Sequence, residues 1–304
     1  MGIAKKFLSF VEIRTKLASV IPFSAALAYS FYLTDRINLH GSLIYFVAAM
    51  LFDMPVTAIN NYLDNREART AQHFSHSVSL AIIFAMLVPA GVLGLYIAFT
   101  YGLAVLFAGV FCFVAGIAYT FGPAPISKSP YGEAVSGFVQ GFLIMFIVVS
   151  INTPDLHLTN IYIENLVLRI DFHVPNMLTL GLVSLPAVCC ISNIMLANNT
   201  CDLEADKNTR YTMARHIGRK NSLRLFAGIY IVAYLSILAS VILRAVPILC
   251  LASLATIWPV QANVRIFFRE QVKPETFSLS IKNFLLIMLP FILTMFLGAI
   301  LERG

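Results

Sequence analysis

Apolar residues come in long blocks separated by short polar joints. The blocks fall at roughly 17–33, 42–59, 78–98, 102–121, 134–151, 177–197, 223–243, 246–264 and 283–301. Each approaches the roughly 20 residues that a helix needs to cross the hydrocarbon of a bilayer. Within lipid the backbone must satisfy its own polar groups, so helices are the form expected. The pattern therefore predicts an all-α membrane protein with about nine transmembrane helices. The joint at 99–102 is short enough for one long helix or a tight hairpin, and Gly102 with the summed length favours the hairpin. The loop at 152–175, which carries Asp155, Glu164 and Asp171, reads as a bland, partly interfacial connection. Residues 1–304 read as a single integral-membrane domain.

Composition strengthens this reading. Hydrophobic residues make up 59% of the chain and charged residues 12%, against about 25% charged in ordinary soluble domains. Mean hydropathy is +0.82. The net charge of +6 does not point to nucleic acid, because the basic residues are spread between apolar blocks. Five cysteines without a CxxC pair argue against a disulfide framework or a zinc site. Residues 1–12 carry Lys5 and Lys6 and read as a cytoplasmic amphipathic lead-in. They do not read as a cleavable signal, since Glu12, Arg14 and Lys16 interrupt the apolar run.

Charge also orients the chain. With nine crossings, 17 of the 21 lysines and arginines fall on the side of the N-terminus, and only Arg36, Arg169, Arg244 and Arg303 fall on the other. The positive-inside bias puts the N-terminus in the cytoplasm and the C-terminus outside.

Candidate chemistry sits where the second and sixth blocks end. Asn60 and Asp64 are four apart, as are Asn198, Asp202 and Asp206. On a helix each row shares one face. Both rows emerge on the inner face of the membrane. Ionisable groups at membrane depth are costly and are paired, hydrated or functional. Facing rows of carboxylate and amide oxygens suit a hard divalent cation; magnesium takes one or two carboxylates and leaves positions for substrate phosphates. The following cations Lys207, Arg210, Arg215, Arg219 and Lys220 suit phosphate oxygens. Helix caps and membrane anchors account for either segment alone; both on one face read as a diphosphate site.

The NxxxD at Asn60–Asp64 and the NNxxDxxxD from Asn198 to Asp206, on a nine-span scaffold, resemble the UbiA-type prenyltransferase superfamily. The second motif looks most like its menaquinone branch, which prenylates 1,4-dihydroxy-2-naphthoate. Tyr119-Thr120-Phe121-Gly122-Pro123, Lys128, Gly132-Glu133, and Thr212-Met213-Ala214 followed by Ile217-Gly218 fit the same branch. The resemblance implies a central cavity open to the cytoplasmic side of a bacterial cell membrane. It also implies Mg2+, a polyprenyl diphosphate donor and an aromatic acceptor. Asn60, Asp64, Asn198, Asp202 and Asp206 are the implied metal ligands, and Asp64, Asp202 and Asp206 the implied catalytic carboxylates. Lys128, Arg210 and Lys220 are the candidates for phosphate contact. Asp53 and Tyr119 complete the substrate-binding set. Where many members carry Asp after the first Asn, this chain has Asn61; Ala68 stands at an often acidic position, and Cys201 replaces a common basic residue.

Other signals stay open. Asp53, seven residues before Asn60, either shapes the acceptor pocket or serves a structural partner. Glu133 either binds the acceptor or complements a helix N-terminus. Arg14 and Lys16 match a basic position of the family, and snorkelling anchors explain them equally. His73 and His76 lack a third metal ligand. Rival functions are the same fold acting on 4-hydroxybenzoate, a haem or chlorophyll precursor or a lipid head group, and a transporter using Asp53, Asp64 and Asp202 as a cation relay.

Overall fold

The computed structural model describes residues 2–67, 73–206, 209–273 and 275–302; the side chains at 14, 64–67 and 163 lie outside that description. The chain begins with a short amphipathic helix, α1 (Ile3–Phe10). A 3-10 turn over Ile13–Lys16 then leads into α2 (Leu17–Thr34). α3 (Leu39–Glu67) and α4 (His76–Tyr101) follow, then α5 (Leu103–Thr120). One residue, Gly102, separates α4 from α5. Its φ of 98° lies in the region that favours glycine, and the two helices pack as the expected hairpin.

The next crossing is a composite. α6 (Gly132–Ser136) widens into π-helix over Gly137–Leu143 and resumes as α7 (Ile144–Asn152). Gly137 and Gly141 face α8 (Val174–Cys201) so closely that a Cβ on either would meet the Val188 backbone, at 2.7 Å and 2.5 Å respectively. Small residues four apart permit this approach of two helix backbones.

Between α7 and α8, where a featureless loop was expected, β1 (Thr159–Glu164) pairs antiparallel with β2 (Val167–Phe172). Asn165 and Leu166 both have positive φ, the backbone of a two-residue hairpin turn. The chain finishes with α9 (Met213–Ile242), which is kinked at Gly218 (φ 78°), then α10 (Ile257–Arg269) and α11 (Ser278–Leu301).

Among the described residues, eight helical segments are long and apolar enough to cross a membrane. They correspond to eight of the nine blocks. The remaining block, 246–264, is helical but divided: a 3-10 stretch over Ile248–Thr256 runs into α10. Together these two pieces span roughly 37 Å at ordinary rises. At the start of this crossing α11 comes close: a Cβ on Gly298 would meet the side chains of Pro247 and Leu249.

The crossings form a ring. α2 packs on α7 and α11, α3 on α4, the π segment on α8, and α8 on α9. Buried Met145, Leu180, Cys190, Phe226, Phe284 and Phe291 fill the contacts. Phe84, Val88 and Val92 of α4 and Phe107 and Phe111 of α5 are exposed, as lipid-facing side chains are. At the end remote from the two motifs, Asn152 donates to Ser42 Oγ (2.9 Å) and accepts from the Asn38 backbone N–H (2.8 Å), sealing α7 against the start of α3.

Candidate active site

The ring encloses a cavity of about 780 Å3. Asn60, two turns before the end of α3, and Asn198, Asp202 and Asp206, at and beyond the end of α8, all line it, so Asn60 of the first predicted row meets the second row at one end of the bundle. Asp64 lies one turn beyond Asn60 on α3; its side chain, like Lys207, is outside the described residues. α8 ends at Cys201 and hands over to a turn in which the Asp206 N–H donates to the Asp202 carbonyl at 2.8 Å. The i,i+4 relation of the two carboxylates therefore survives the end of the helix.

Both carboxylates carry cations. Lys273 Nζ donates to Asp202 Oδ2 at 2.5 Å, and Arg210 Nε lies 3.7 Å from Asp206 Oδ1. Arg210 and Lys273 also line the cavity. Lys273, in the loop before α11, is a site residue that the sequence reading missed. It stands 71 residues from its partner, and no local spacing marks it.

Two other predicted phosphate contacts are not among the residues that line this cavity. Lys220 is exposed on α9 beyond the Gly218 kink and does not line the cavity. Lys128 also lies outside the cavity wall, where neighbouring Ser127 takes a place; its carbonyl accepts from the Tyr211 N–H at 2.9 Å and ties two loops together.

Asp53 lines the cavity but is already occupied. Lys16 Nζ donates to Asp53 Oδ1 (3.0 Å), to the Asp53 carbonyl (3.0 Å) and to Thr57 Oγ1 (2.6 Å), and Ser19 Oγ donates to Asp53 Oδ2 (2.8 Å). Both carboxylate oxygens and all three ammonium donors are used. Lys16 is thus turned inward, 3% exposed, and is not a snorkelling anchor. Charges buried this way persist because each is paired and hydrogen-bonded. The pair makes Asp53 a fixed part of the wall and a poor candidate for an ion relay.

Tyr119 also lines the cavity, its hydroxyl in the neighbourhood of Ser136, Glu133 and Arg210. Glu133 itself is 6% exposed and accepts from Asn199 Nδ2 at 2.9 Å. Away from this polar end the lining becomes apolar: Phe52, Val56, Val139, Ile144, Ile147 and Ile191, with Gly91, Gly94 and Gly109 from the α4–α5 hairpin.

The donor set can be tested against a metal. Among the described residues no three His, Cys, Asp or Glu side chains cluster as a metal cage. Of the predicted ligands, the cavity offers two carboxylates, Asp202 and Asp206, with the amides of Asn60 and Asn198. That set suits an oxygen-preferring divalent ion that keeps positions for water and phosphate, and it does not suit a structural zinc.

Relatives bear on this geometry. A 1,4-dihydroxy-2-naphthoate octaprenyltransferase of Bacillus subtilis (strain 168) is 30% identical over 236 residues, 70% of this chain and 68% of that protein. The apo structure of a UbiA homologue from Aeropyrum pernix K1 superposes with a TM-score of 0.64 at 18% identity, covering 90% of this chain and 98% of that one. The structure of a UbiA homologue from Archaeoglobus fulgidus bound to DMAPP and Mg2+ superposes at 0.62 and 15% identity, covering 97% and 99%. At such identities these two establish likeness of fold. The UbiA prenyltransferase family profile matches residues 19–298, the span of helices that builds the cavity, so the chain belongs to that family: it is a multi-pass membrane enzyme that transfers prenyl groups.

Proposed function

We propose that the enzyme transfers a polyprenyl group from polyprenyl diphosphate to 1,4-dihydroxy-2-naphthoate, giving the prenylated, decarboxylated naphthohydroquinone that is the reduced form of demethylmenaquinone in menaquinone biosynthesis. The observation that carries this reading is one continuous cavity, with carboxylates, amides and cations at one end and apolar walls beyond. That division matches a donor with a charged head and a hydrocarbon tail. The named activity of the Bacillus subtilis relative supports the naphthoate as acceptor.

Asn60, Asp64, Asn198, Asp202 and Asp206 are the residues proposed to hold Mg2+. When bound, the metal neutralises charge on the diphosphate as it leaves. Arg210 and Lys273, beside Asp206 and Asp202, carry N–H donors for the diphosphate oxygens. Phe52, Ile144, Ile147 and Ile191 keep water from the allylic carbon once its carbon–oxygen bond ionises. A ring carbon of the acceptor then forms the new carbon–carbon bond and loses its carboxylate as carbon dioxide. The lysine and arginine bias supports placing the polar end of the cavity at the cytoplasmic face of a bacterial membrane.

The test is purified protein with Mg2+, a polyprenyl diphosphate and a panel of aromatic acids, read by product mass. The prenylated, decarboxylated naphthoate is the expected product, and excess chelator abolishes it. Turnover of a different acceptor in place of the naphthoate rejects the assignment; full activity in chelator rejects the metal.

A further inference from the structure

Asn199 follows a proposed metal ligand but points elsewhere. It is 4% exposed and lines the cavity, and its Nδ2 donates to Glu133 Oε1 at 2.9 Å. Glu133 is clamped in turn. It lies at the start of α6, where its carbonyl accepts from Ser192 Oγ at 3.0 Å, and the close approach at Gly137 and Gly141 holds the helix against α8. The other carboxylate oxygen, Oε2, is buried and has no hydrogen-bond partner among the described residues.

Unlike a hydroxyl or another amide, an ionised carboxylate only accepts hydrogen bonds. Its neighbour must therefore present nitrogen. An unconstrained asparagine takes either orientation at nearly equal cost, because the two faces of the amide are almost isosteric. Glu133 removes that freedom: with Nδ2 committed to the carboxylate, Oδ1 is the atom left for the cavity. A carboxylate buried with one oxygen unsatisfied is an expensive way to hold two helices together. The same contact from an apolar pair costs less.

We infer that Glu133 is a positioning residue. It locks Asn199 with Oδ1 toward the cavity, where that oxygen accepts a hydrogen bond from a ring hydroxyl of the aromatic co-substrate. The inference rests on the functional reading above and adds to it the group that orients the ring. It also gives the doubled asparagine a division of labour, with Asn198 facing the metal and Asn199 facing the acceptor.

The test is a double-mutant cycle on the full-length chain, comparing wild type, Glu133→Gln, Asn199→Asp and the double variant. In the double variant a glutamine donates to an aspartate. The charge of the pair and its hydrogen bond are kept, and one carboxylate oxygen again faces the cavity. The KM for 1,4-dihydroxy-2-naphthoate is measured at saturating prenyl diphosphate, and the KM for prenyl diphosphate at saturating naphthoate. Each single variant is expected to raise the naphthoate KM about tenfold and the donor KM no more than about twofold, with most of the loss recovered in the double variant.

Equal rises in both constants, or a double variant no better than the product of the singles, overturn the proposal. If a single variant does not fold, Asn199→Ala read by the same two constants decides, and an unchanged naphthoate KM overturns it. A wild-type chain that ignores the naphthoate defeats the functional reading instead; the cycle is then run with the acceptor that is turned over.

Discussion

α8 and the α4–α5 hairpin both wall the cavity, yet they are built by opposite rules. Of its spanning window 67% of α8 is buried within the protein, against 22% for each of α4 and α5. α8 meets its neighbours through backbone contact and directed bonds: Gly137 and Gly141 against Val188, Ser192 to Glu133, and Asn193 Nδ2 to the Phe226 carbonyl at 2.9 Å. The hairpin exposes Phe84, Val88, Val92, Phe107 and Phe111 and lines the cavity with Leu95, Ile97, Leu106 and Phe113 beside Gly91, Gly94 and Gly109, where an added Cβ would meet nothing within 4 Å. Chemistry that depends on distances of a few tenths of an ångström belongs on the fixed wall. A flexible hydrocarbon needs only an apolar surface with room beside it, and the hairpin supplies that.

The sharpest way to break the comparison is to remove charge from the fixed wall. Asp202→Ala is expected to lower turnover on the order of a thousandfold and to leave the thermal unfolding midpoint in detergent close to wild type. A rate near wild type would sever α8 from the chemistry. Packing comes next. Gly141→Ala places a methyl group on the Val188 backbone and should cost about 1–3 kcal/mol in unfolding experiments, whereas Gly94→Ala should stay within about 0.5 kcal/mol. Equal losses at the two glycines would erase the distinction between the walls. Lys273→Met, which frees Asp202 of its cation, is expected to reduce kcat/KM for prenyl diphosphate about tenfold. The smallest effect is expected at Lys220, exposed and away from the cavity: Lys220→Ala should leave kcat/KM within about twofold.

Much of this arrangement is legible in the chain. The apolar blocks mark the crossings because hydrocarbon thickness imposes a length. Gly102 marks a hairpin because few other residues adopt its φ, and rows of oxygens four apart mark helix faces. The even alternation in Thr159–Glu164 and Val167–Phe172 around Asn165 is an ordinary hairpin signal, overlooked inside a loop read as bland. Other features depend on packing that no local spacing reveals. Lys16 and Asp53 are 37 residues apart, and only the approach of α2 to α3 turns the lysine inward. Lys273 reaches Asp202 because α11 closes the ring. That Lys220 falls away from the cavity while Arg210 lines it is also not legible, because basic loop residues look alike in one dimension and loop placement is set by the helices that the loops join. The split crossing at 246–264 is likewise hydropathic enough to be found, while its 3-10 half, against which α11 packs at Gly298, has no local spacing that announces it.

The π-helical stretch at 137–143 gives one crossing two independent phases. Its upstream end is timed to α8, so that Glu133 reaches Asn199; its downstream end is timed to α3, so that Asn152 meets Ser42. A uniform α-helix ties both ends to a single rotation, and the widened turns act as a gear between them. Deleting one residue from this stretch would leave an intact-looking crossing with only one end in mesh: either the cavity-side pair or the seal at the far end of the bundle, but not both.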